Sequence, residues 1–409
     1  MTKIHDVLIL GAGPAGTALA SHLARSGFDV ALADKKSFPR AKPCGEFLSP
    51  ECRPYLQELG VENALLQQGT RRIHGMHLCS GEWRARGRFR SLTSAPYNDA
   101  GYAIRREILD TELLRAARAR PEVTWLERHE FRTLLRDANG AVSGAVLRDQ
   151  TGAERAVRAQ TTIGADGVHS RVARQLGVQR QIRWLDRLAL VAHFDGVVPA
   201  AEAEVHFLDN AYFAATTVDD GSFHLNLLID RNALADRDGD LDAFVQEHIA
   251  AAPMLARRMS NAKRRGQWKG IGPLAFRTTK QTFAGGALVG DACGYIDPLT
   301  GEGIDFSLHG ARSLANALAV ARHEPHRAAA AMRGYEQERR REIAPRLRLA
   351  ALLQRGIRHP FLVRSCLSAL AAWPRLCDLL VNLTGDAVHP RDLLQPAFWR
   401  QWREAAPSS

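Results

Sequence analysis

The chain has 409 residues, of which 45% are hydrophobic, and a formal net charge of +11. This length and composition exclude a disordered chain and allow one large or two ordinary domains with a sizeable core. No apolar stretch approaches the roughly 20 residues of a membrane-spanning helix, and the first residues run directly into a strand pattern. We therefore expect a cytoplasmic protein without a cleaved signal.

The distribution of the positive charge and the spacing of the cysteines limit the partners and the metal sites that the protein is expected to have. Arginine supplies most of the charge, and it is dispersed through predicted helices instead of forming one stripe with aromatic residues. We therefore expect no nucleic-acid partner, while an anionic membrane surface stays an alternative. The six cysteines form no CxxC pair and no His/Cys cluster at ligand spacing, which predicts reduced thiols and no metal site.

The first predicted unit is a strand, a glycine turn and a helix. An apolar run, residues 7–10, leads into the sequence Gly11-Ala12-Gly13-Pro14-Ala15-Gly16 and then into a helical pattern. Gly11 allows the tight turn, Gly13 lets the backbone approach a pyrophosphate, and Gly16 lets the helix pack against the strand. This order predicts a dinucleotide cradle.

The next strand completes the cradle. It covers residues 30–33 and ends in Asp34 and Lys35. The Asp34 carboxylate can accept hydrogen bonds from a ribose diol. Pro14 and Ala15 open the helix whose N–H groups face the phosphates, so we assign both to the cofactor site with Asp34 and Lys35.

A loop with three prolines, residues 38–50, follows the second strand and contains Lys42-Pro43-Cys44-Gly45-Glu46. Residues 49–51 are predicted to open a helix that runs through Leu59. Residues 73–89 alternate in polarity, which indicates a β excursion out of the nucleotide fold.

Strand patterns dominate the middle of the chain. Residues 123–126, 131–135 and 142–147 are predicted to form a β-meander, the last two joined across an Asn-Gly turn. A buried strand then ends in the polar turn Asp166-Gly167. From about residue 185 to 265, β-rich segments, among them residues 203–208, and one helix over about residues 241–250 predict a substrate domain.

A third glycine–acid turn lies near residue 290. Asp291 ends an apolar strand, and Gly301-Glu302-Gly303 opens a helix at Ile304 ten residues later. A carboxylate can hold a ribityl hydroxyl, and a helix N-terminus can stabilise the electron-rich edge of a reduced isoalloxazine. If the three turns converge on one ligand, that ligand is flavin adenine dinucleotide (FAD).

At these residues the chain resembles the flavoprotein superfamily of aromatic hydroxylases, flavin-dependent halogenases and geranylgeranyl reductases, over roughly residues 1–345. The matching positions are Gly11, Gly13 and Gly16 in the dinucleotide fingerprint, residues 164–167 with Ser170-Arg171 in the "DG" motif, and Asp291, Pro298, Gly301 and Gly303 in the "GD" motif. The resemblance also implies that an arginine, Arg106 or Arg105, lies near the flavin pyrophosphate, and it assigns Cys44, Gly45, Asp166, Gly167, Glu302 and Ile304 to the flavin site.

Lys42-Pro43-Cys44-Gly45 and Thr300-Gly301-Glu302-Gly303-Ile304 are most similar to the geranylgeranyl reductase branch. The chain lacks the Trp-x-Trp-x-Ile-Pro segment of the halogenases, so halogenation is not expected. Many hydroxylases carry Gly-Gln-Gly where this chain has Gly-Glu-Gly, yet hydroxylation stays open because the oxygen chemistry belongs to the flavin.

Candidate catalytic residues follow from the resemblance and from the β-rich block. Cys44 would shape the pocket or tune reactivity, or pack as a small hydrophobic residue. Glu46 is a candidate acid near the reacting carbon, or a helix-capping residue. His193, His206 and His224 are expected on cavity-lining strands, as core histidines or as bases.

Residues 346–384 interleave large apolar side chains with arginines. A basic amphipathic helical pair of this kind can lie on an anionic bilayer, or it can cap a channel for a long acyl or prenyl substrate. Ordinary packing against the flavin domain is the third interpretation.

We therefore predict an α/β fold, with a doubly wound, Rossmann-type FAD-binding domain, an inserted β-sheet substrate domain and a C-terminal helical segment. The predicted boundaries are 1–72, 100–180 and 266–345 for the FAD-binding domain, 73–99 and 181–265 for the substrate domain, and 346–409 for the helical segment.

The predicted function is an FAD-dependent oxidoreductase of secondary metabolism. We expect an NAD(P)H-dependent monooxygenase that hydroxylates a lipophilic aromatic or polyketide-type small molecule. The alternative is reduction of C=C bonds in a prenyl chain, and lower-ranked alternatives are a nucleic-acid-associated or a non-catalytic flavoprotein. A membrane-peripheral location through residues 346–384 is an alternative to a purely cytoplasmic one.

Overall fold

A computed structural model describes residues 3–90, 99–235, 240–385 and 387–404. Residues 91–98, which belong to the segment 73–99 assigned to the substrate domain, lie outside the described residues.

The first part of the chain alternates strands and helices. Its elements are β1 (Ile4–Leu10), α1 (Pro14–Arg25), β2 (Val30–Asp34), β3 (Phe47–Leu48), α2 (Cys52–Glu58), α3 (Glu62–Gln67), β4 (Arg71–Ile73), β5 (Gly75–Ser80), β6 (Trp83–Arg88), β7 (Gly101–Ala103), α4 (Arg106–Arg118), β8 (Val123–Glu127), β9 (Glu130–Arg136), β10 (Val142–Arg148), β11 (Glu154–Gly164) and α5 (Arg171–Gln175). α1 begins at a proline, whose missing N–H costs nothing at the first helical position.

Long strands dominate the second part, and helices dominate the third. The second part contains β12 (Gln179–Gln181), β13 (Arg187–Asp195), β14 (Ala203–Leu208), β15 (Ala211–Thr217), β16 (Phe223–Asp230), α6 (Asn232–Ala235), α7 (Leu241–Ala250), α8 (Pro253–Arg258) and β17 (Lys263–Ile271). The third contains β18 (Phe276–Thr278), β19 (Thr282–Phe283), β20 (Gly286–Leu288), β21 (Gly294–Tyr295), α9 (Gly303–His323), α10 (Ala328–Glu342), α11 (Ala344–Gly356), α12 (Pro360–Ala372), α13 (Pro374–Thr384) and α14 (Pro396–Glu404).

An eight-stranded sheet carries the glycine turns. Its main path is β19-β20-β11-β1-β2-β8, in which β20, β11, β1, β2 and β8 run parallel. The strands are buried on both faces, which explains why β1 and β2 are almost continuously apolar. This arrangement confirms the predicted Rossmann-type α/β fold.

One strand prediction in this sheet is wrong. Residues 123–126 belong to β8, which pairs in parallel with β2 and is not part of a meander. The reason is the helix before it: α4 returns the chain across the sheet, so the next strand is laid down parallel to β2. The observed meander is β9-β10-β11, and it includes the predicted hairpin across Gly140.

A second sheet of seven strands has the order β17-β13-β16-β15-β14-β5-β6. The predicted excursion, residues 73–89, supplies β5 and β6, and β5 pairs in parallel with β14. One face of this sheet packs against α7 and α8. The opposite face points toward the first sheet and the C-terminal helices.

The C-terminal helices α12 and α13 pack mainly on the second sheet, and their hydrophobic cluster also includes Leu274 and Leu299 of the predicted flavin domain. The side chain of Asp378 accepts hydrogen bonds from the backbone N–H of Arg88 (2.8 Å) and from the Arg90 guanidinium. Asn382 bonds both the backbone C=O of Arg88 and the backbone N–H of Arg90. These contacts cover the outer side of β6, which would otherwise be an open sheet edge.

No single described helix is long and apolar enough to cross a membrane. α12 and α13 satisfy the length and composition together, but the chain bends by 117° between them.

Candidate cofactor and substrate site

The glycines of the first turn have different structural roles. Gly11 has φ +113°, and a Cβ there would lie 2.4 Å from the carbonyl oxygen of Ala165. A Cβ on Gly16 would lie 1.9 Å from the carbonyl oxygen of Gly11. A Cβ on Gly13 would meet only Arg40, at 3.8 Å, so the space over Gly13 is open. Gly11 and Gly16 are therefore needed by the fold itself, whereas Gly13 leaves room for a ligand at the N-terminus of α1.

A cleft begins at this opening and is basic. Asp34 ends β2 at its edge, and its carboxylate accepts hydrogen bonds from the backbone N–H groups of Ala12 and Lys36, each at 2.9 Å. The cationic side chains that line the cleft are Lys35, Lys36, Arg40, Lys42 and Arg171. A concentration of cations beside a helix N-terminus suits a pyrophosphate.

The second turn supports the cleft wall. Asp166 and Gly167 line the cleft, but the Asp166 carboxylate accepts hydrogen bonds from the Ser170 hydroxyl (2.6 Å) and the Arg171 backbone N–H (2.7 Å). Asp166 therefore holds the start of α5, and Gly167 adopts φ +78°, which favours glycine.

A second cavity lies between the loop at residues 42–47, the third turn and the second sheet. The first-sheet side contributes Pro14, Lys42, Cys44, Gly45, Arg106, Asp291, Pro298, Gly301, Gly303 and Ile304. Facing them, the second sheet contributes mainly apolar side chains, among them Met76, Ala189, Val191, Val205 and Ala214. The cavity therefore has one charged wall and one mainly apolar wall, which also carries Glu204, Thr216 and Asn226.

Arg106 organises the charged wall. It is buried and donates to both oxygens of Asp110, at 2.7 and 2.8 Å, and it lies close to Cys44. Burial raises the pKa of Asp291, and nearby Lys42 opposes that rise. Arg105 instead pairs with Asp219 at 2.8 Å, so of the two candidate arginines the structure places Arg106 at the cavity.

Several predicted site residues lie elsewhere. Ala15 and Gly16 are buried within α1 and line neither space, so they serve close packing. Glu302 is 3% exposed and also outside both linings, although its neighbours Gly301 and Gly303 line the second cavity. The strands that carry His193, His206 and His224 line the cavity as predicted, but none of the three histidines is among the lining residues. His206 instead lies 3.0 Å from the Glu204 carboxylate.

Glu46 is not in the cavity lining but lies directly behind it. Its backbone has φ 53°, which is unusual for a residue other than glycine, and its side chain is buried. One carboxylate oxygen accepts a hydrogen bond from the backbone N–H of Arg106 (3.1 Å), which is the first residue of α4. The other lies 2.7 Å from Nε2 of His193 and 3.9 Å from Nε2 of His224. Glu46 thus caps a helix, although a different one from that predicted.

The two histidines reach Glu46 because β13 and β16 pair His193 directly opposite His224. His224 is fully buried, is hydrogen-bonded to Asn226, and lies near the backbone of Gly45. The ligand atoms of the three side chains lie within 4.8 Å of one another, near enough for a metal ion. Since the carboxylate and His224 already have hydrogen-bond partners, we interpret the group as a hydrogen-bonded cluster that fixes Gly45. The cluster of Glu46, His193 and His224 is evident only from the register of β13 and β16. The positions of these residues in the sequence do not predict that register.

The cluster predicts a pH effect on stability. Burial lowers the pKa of His224 to about 4, against the ordinary 6.5, and Glu46 only partly opposes this. The folded state therefore resists protonation of His224, so stability is complete above pH 6.5 and is lost as the pH falls from 6.5 toward 4. We expect a contribution of about 2 kcal/mol between pH 7 and pH 5.

Urea unfolding at pH 7 and pH 5 measures this contribution. His224→Gln should show a smaller loss of stability on acidification than the wild type. His248→Gln is the control, because His248 bonds only within its own helix among the described residues. An equal pH dependence in the wild type and His224→Gln would contradict the assignment.

Comparisons with known proteins agree with this geometry. A family model described as "FAD binding domain" matches residues 5–348. The chain is 28% identical over 348 residues to conditioned medium factor receptor 1 of Dictyostelium discoideum, covering 79% of this chain and 64% of that protein. It therefore spans less than two thirds of that relative. It is 27% identical over 365 residues to digeranylgeranylglycerophospholipid reductase 2 of Methanopyrus kandleri, covering 84% of each.

Among solved structures, a flavin-dependent brominase superposes with a TM-score of 0.83. The match covers 98% of both chains at 19% sequence identity. At this identity the likeness concerns the fold alone, and it agrees with the Rossmann-type sheet, the second sheet and the C-terminal helices.

Proposed function

Because the chain belongs to the FAD-binding domain family and is an FAD-dependent oxidoreductase, we propose that it reduces carbon–carbon double bonds in a lipophilic, prenyl-type chain. We further propose NAD(P)H as the source of electrons. We thus place reduction before hydroxylation, although the sequence favours hydroxylation. The reason is the chemistry of the residues that line the cavity.

The residues present fit FAD. The open space over Gly13 and the cationic cleft suit the pyrophosphate, and Asp34 is placed for the adenosine ribose. Asp291 and the N-terminus of α9, at Gly303, line the second cavity where the isoalloxazine would lie. A carboxylate and a set of free backbone N–H groups are the partners that a ribityl chain and a flavin ring require.

The observation that carries the proposal is the position of Cys44. Its side chain lines the cavity on the first-sheet side, facing the mainly apolar wall, and lies close to Arg106. When bound, reduced FAD supplies a hydride to one carbon of a double bond. The reaction then needs a proton on the other carbon, and we assign the donation to the Cys44 thiol, which lines the cavity on the first-sheet side. The Arg106 guanidinium balances the negative charge left on sulfur until solvent returns the proton.

The substrate class rests on the apolar wall and on one relative. The second-sheet side of the cavity offers methyl and methylene groups over most of its area, which suits an uncharged hydrocarbon chain. The Methanopyrus protein, which this chain covers to 84%, is named for the reduction of a digeranylgeranyl lipid. We take a prenylated lipid as the substrate of the present chain on these two grounds.

Hydroxylation of a lipophilic aromatic molecule is the second candidate. It is favoured by the hydroxyl of Thr216, which lines the cavity, is buried and lacks a hydrogen-bond partner among the described residues. With the amide of Asn226 on the neighbouring strand, it could orient a phenol in an otherwise apolar pocket. The mass of the product separates the two: reduction adds two hydrogen atoms to the substrate, whereas hydroxylation adds one oxygen atom.

A further inference from the structure

The C-terminal helices expose an unusual number of large apolar side chains. Phe361 is 79% exposed and Trp373 66%, and they lie in α12 and at its junction with α13. Leu352, Leu362 and Leu376 extend the same stretch and are each more than 40% exposed. We call these five residues the apolar surface. Five large exposed side chains within 25 residues are more than a helix facing only water needs.

The stretch of chain that carries the apolar surface has charged side chains of one sign only. Residues 343–377 contain six arginines and no aspartate or glutamate. Arg346 and Arg358 pair with acids outside this stretch, at 3.3 and 2.9 Å. Arg348, Arg355 and Arg364 are exposed, and no salt bridge within the described residues involves them.

We propose that this face of the protein binds an anionic lipid bilayer. The 117° bend prevents α12 and α13 from crossing a membrane as one helix, whereas a bent pair can lie in the interface with its apolar side chains among the acyl chains. The arginines then meet the anionic head groups. A second copy of this chain fits less well, because pairing two such faces would bring two sets of unpaired arginines together.

The inner face of the same helices connects the apolar surface with the cavity. Val363, Leu367 and Leu370 of α12 belong to one hydrophobic cluster with Leu274 and Leu299, which line the cavity. One layer of helix thus separates the bilayer face from the cavity. A lipid substrate would have a short path between them, and this point alone rests on the proposed function.

The test is flotation of the full-length, FAD-loaded protein with vesicles of phosphatidylcholine alone or mixed with phosphatidylglycerol. We expect the protein to float with the anionic vesicles at least tenfold more than with the neutral ones, and high salt to weaken the association. The variant Phe361→Ser/Trp373→Ser should lose most of the binding. Ile4→Ser/Val198→Ser is its matched control, since both residues are more than half exposed and lie outside the C-terminal helices.

The arginines need a separate variant. Arg348→Glu/Arg355→Glu/Arg364→Glu should abolish flotation, whereas the same change at the exposed Arg118, Arg120 and Arg155 should reduce it far less. Flavin content and circular dichroism check that each variant is folded. Equal flotation with both vesicle types would overturn the proposal, and so would an equal loss of flotation in the two triple arginine variants. A dimer that sedimentation detects in the wild type, and that the Phe361→Ser/Trp373→Ser variant alone no longer forms, would also overturn it. Flotation requires no turnover, so its failure is distinguishable from failure of the proposed reaction.

Discussion

Gly13→Val is expected to abolish stable binding of FAD while the protein stays folded. The backbone of Gly13 has φ −76°, which a residue with a side chain adopts without strain. A Cβ there would contact only Arg40, so the protein itself has room for it. The same space is where the pyrophosphate would approach the backbone, and a branched side chain fills it. We expect the affinity for FAD to fall by at least 100-fold, measured by fluorescence titration of the apoprotein.

A matched control keeps this result specific. Gly334 lies in α10 with open space around it, so Gly334→Val introduces the same side chain away from the cradle. Gly334→Val should retain FAD, and both variants should show the far-ultraviolet spectrum of the wild type. A Gly13→Val protein that purifies with a full complement of FAD would mean that the first turn does not hold the pyrophosphate.

Cys44→Ala is expected to lower the rate of double-bond reduction by about 10²- to 10⁴-fold, the range that a positioned general acid contributes. The substitution removes the proton donor and leaves the other residues of the charged wall in place. FAD content should be unchanged, and so should the rate at which NAD(P)H reduces the flavin. Stopped-flow absorbance measures the reduction and reoxidation steps separately.

Two further variants define the role of the thiol. Cys44→Ser keeps a hydroxyl donor and should retain more activity than Cys44→Ala. Cys366→Ala should have no effect, because Cys366 is exposed on α12. If Cys44→Ala reoxidises with the lipid substrate as fast as the wild type, the proton comes from another group.

Much of the fold was readable from the sequence because its signals are local. The strand–turn–helix at Gly11 and the alternating strands between residues 185 and 265 depend on neighbours close in the chain. The predicted helix 241–250 coincides with α7, and the predicted strand 203–208 coincides with β14. The match over residues 5–348 confirms the predicted family, and with it the prediction that the protein is an FAD-dependent oxidoreductase.

The errors concern contacts between distant parts of the chain. Residues 123–126 look like a hairpin strand, but only the crossover by α4 decides that β8 pairs with β2. The cluster of Glu46 with His193 depends on how the loop docks against β13, 147 positions away in the chain. The sequence of residues 346–384 allows three interpretations, because an apolar stripe on a helix does not show whether lipid, substrate or protein covers it.

Reduction of a double bond by FAD bound in the cavity is tested by a single turnover without oxygen. The FAD-loaded enzyme is reduced, mixed anaerobically with a prenylated lipid, and followed by the absorbance of the oxidised flavin. If the enzyme reduces the double bond, the flavin is reoxidised, and one double bond is saturated for each flavin oxidised. A flavin that stays reduced until oxygen is admitted, together with a product that carries an added oxygen atom, would contradict it.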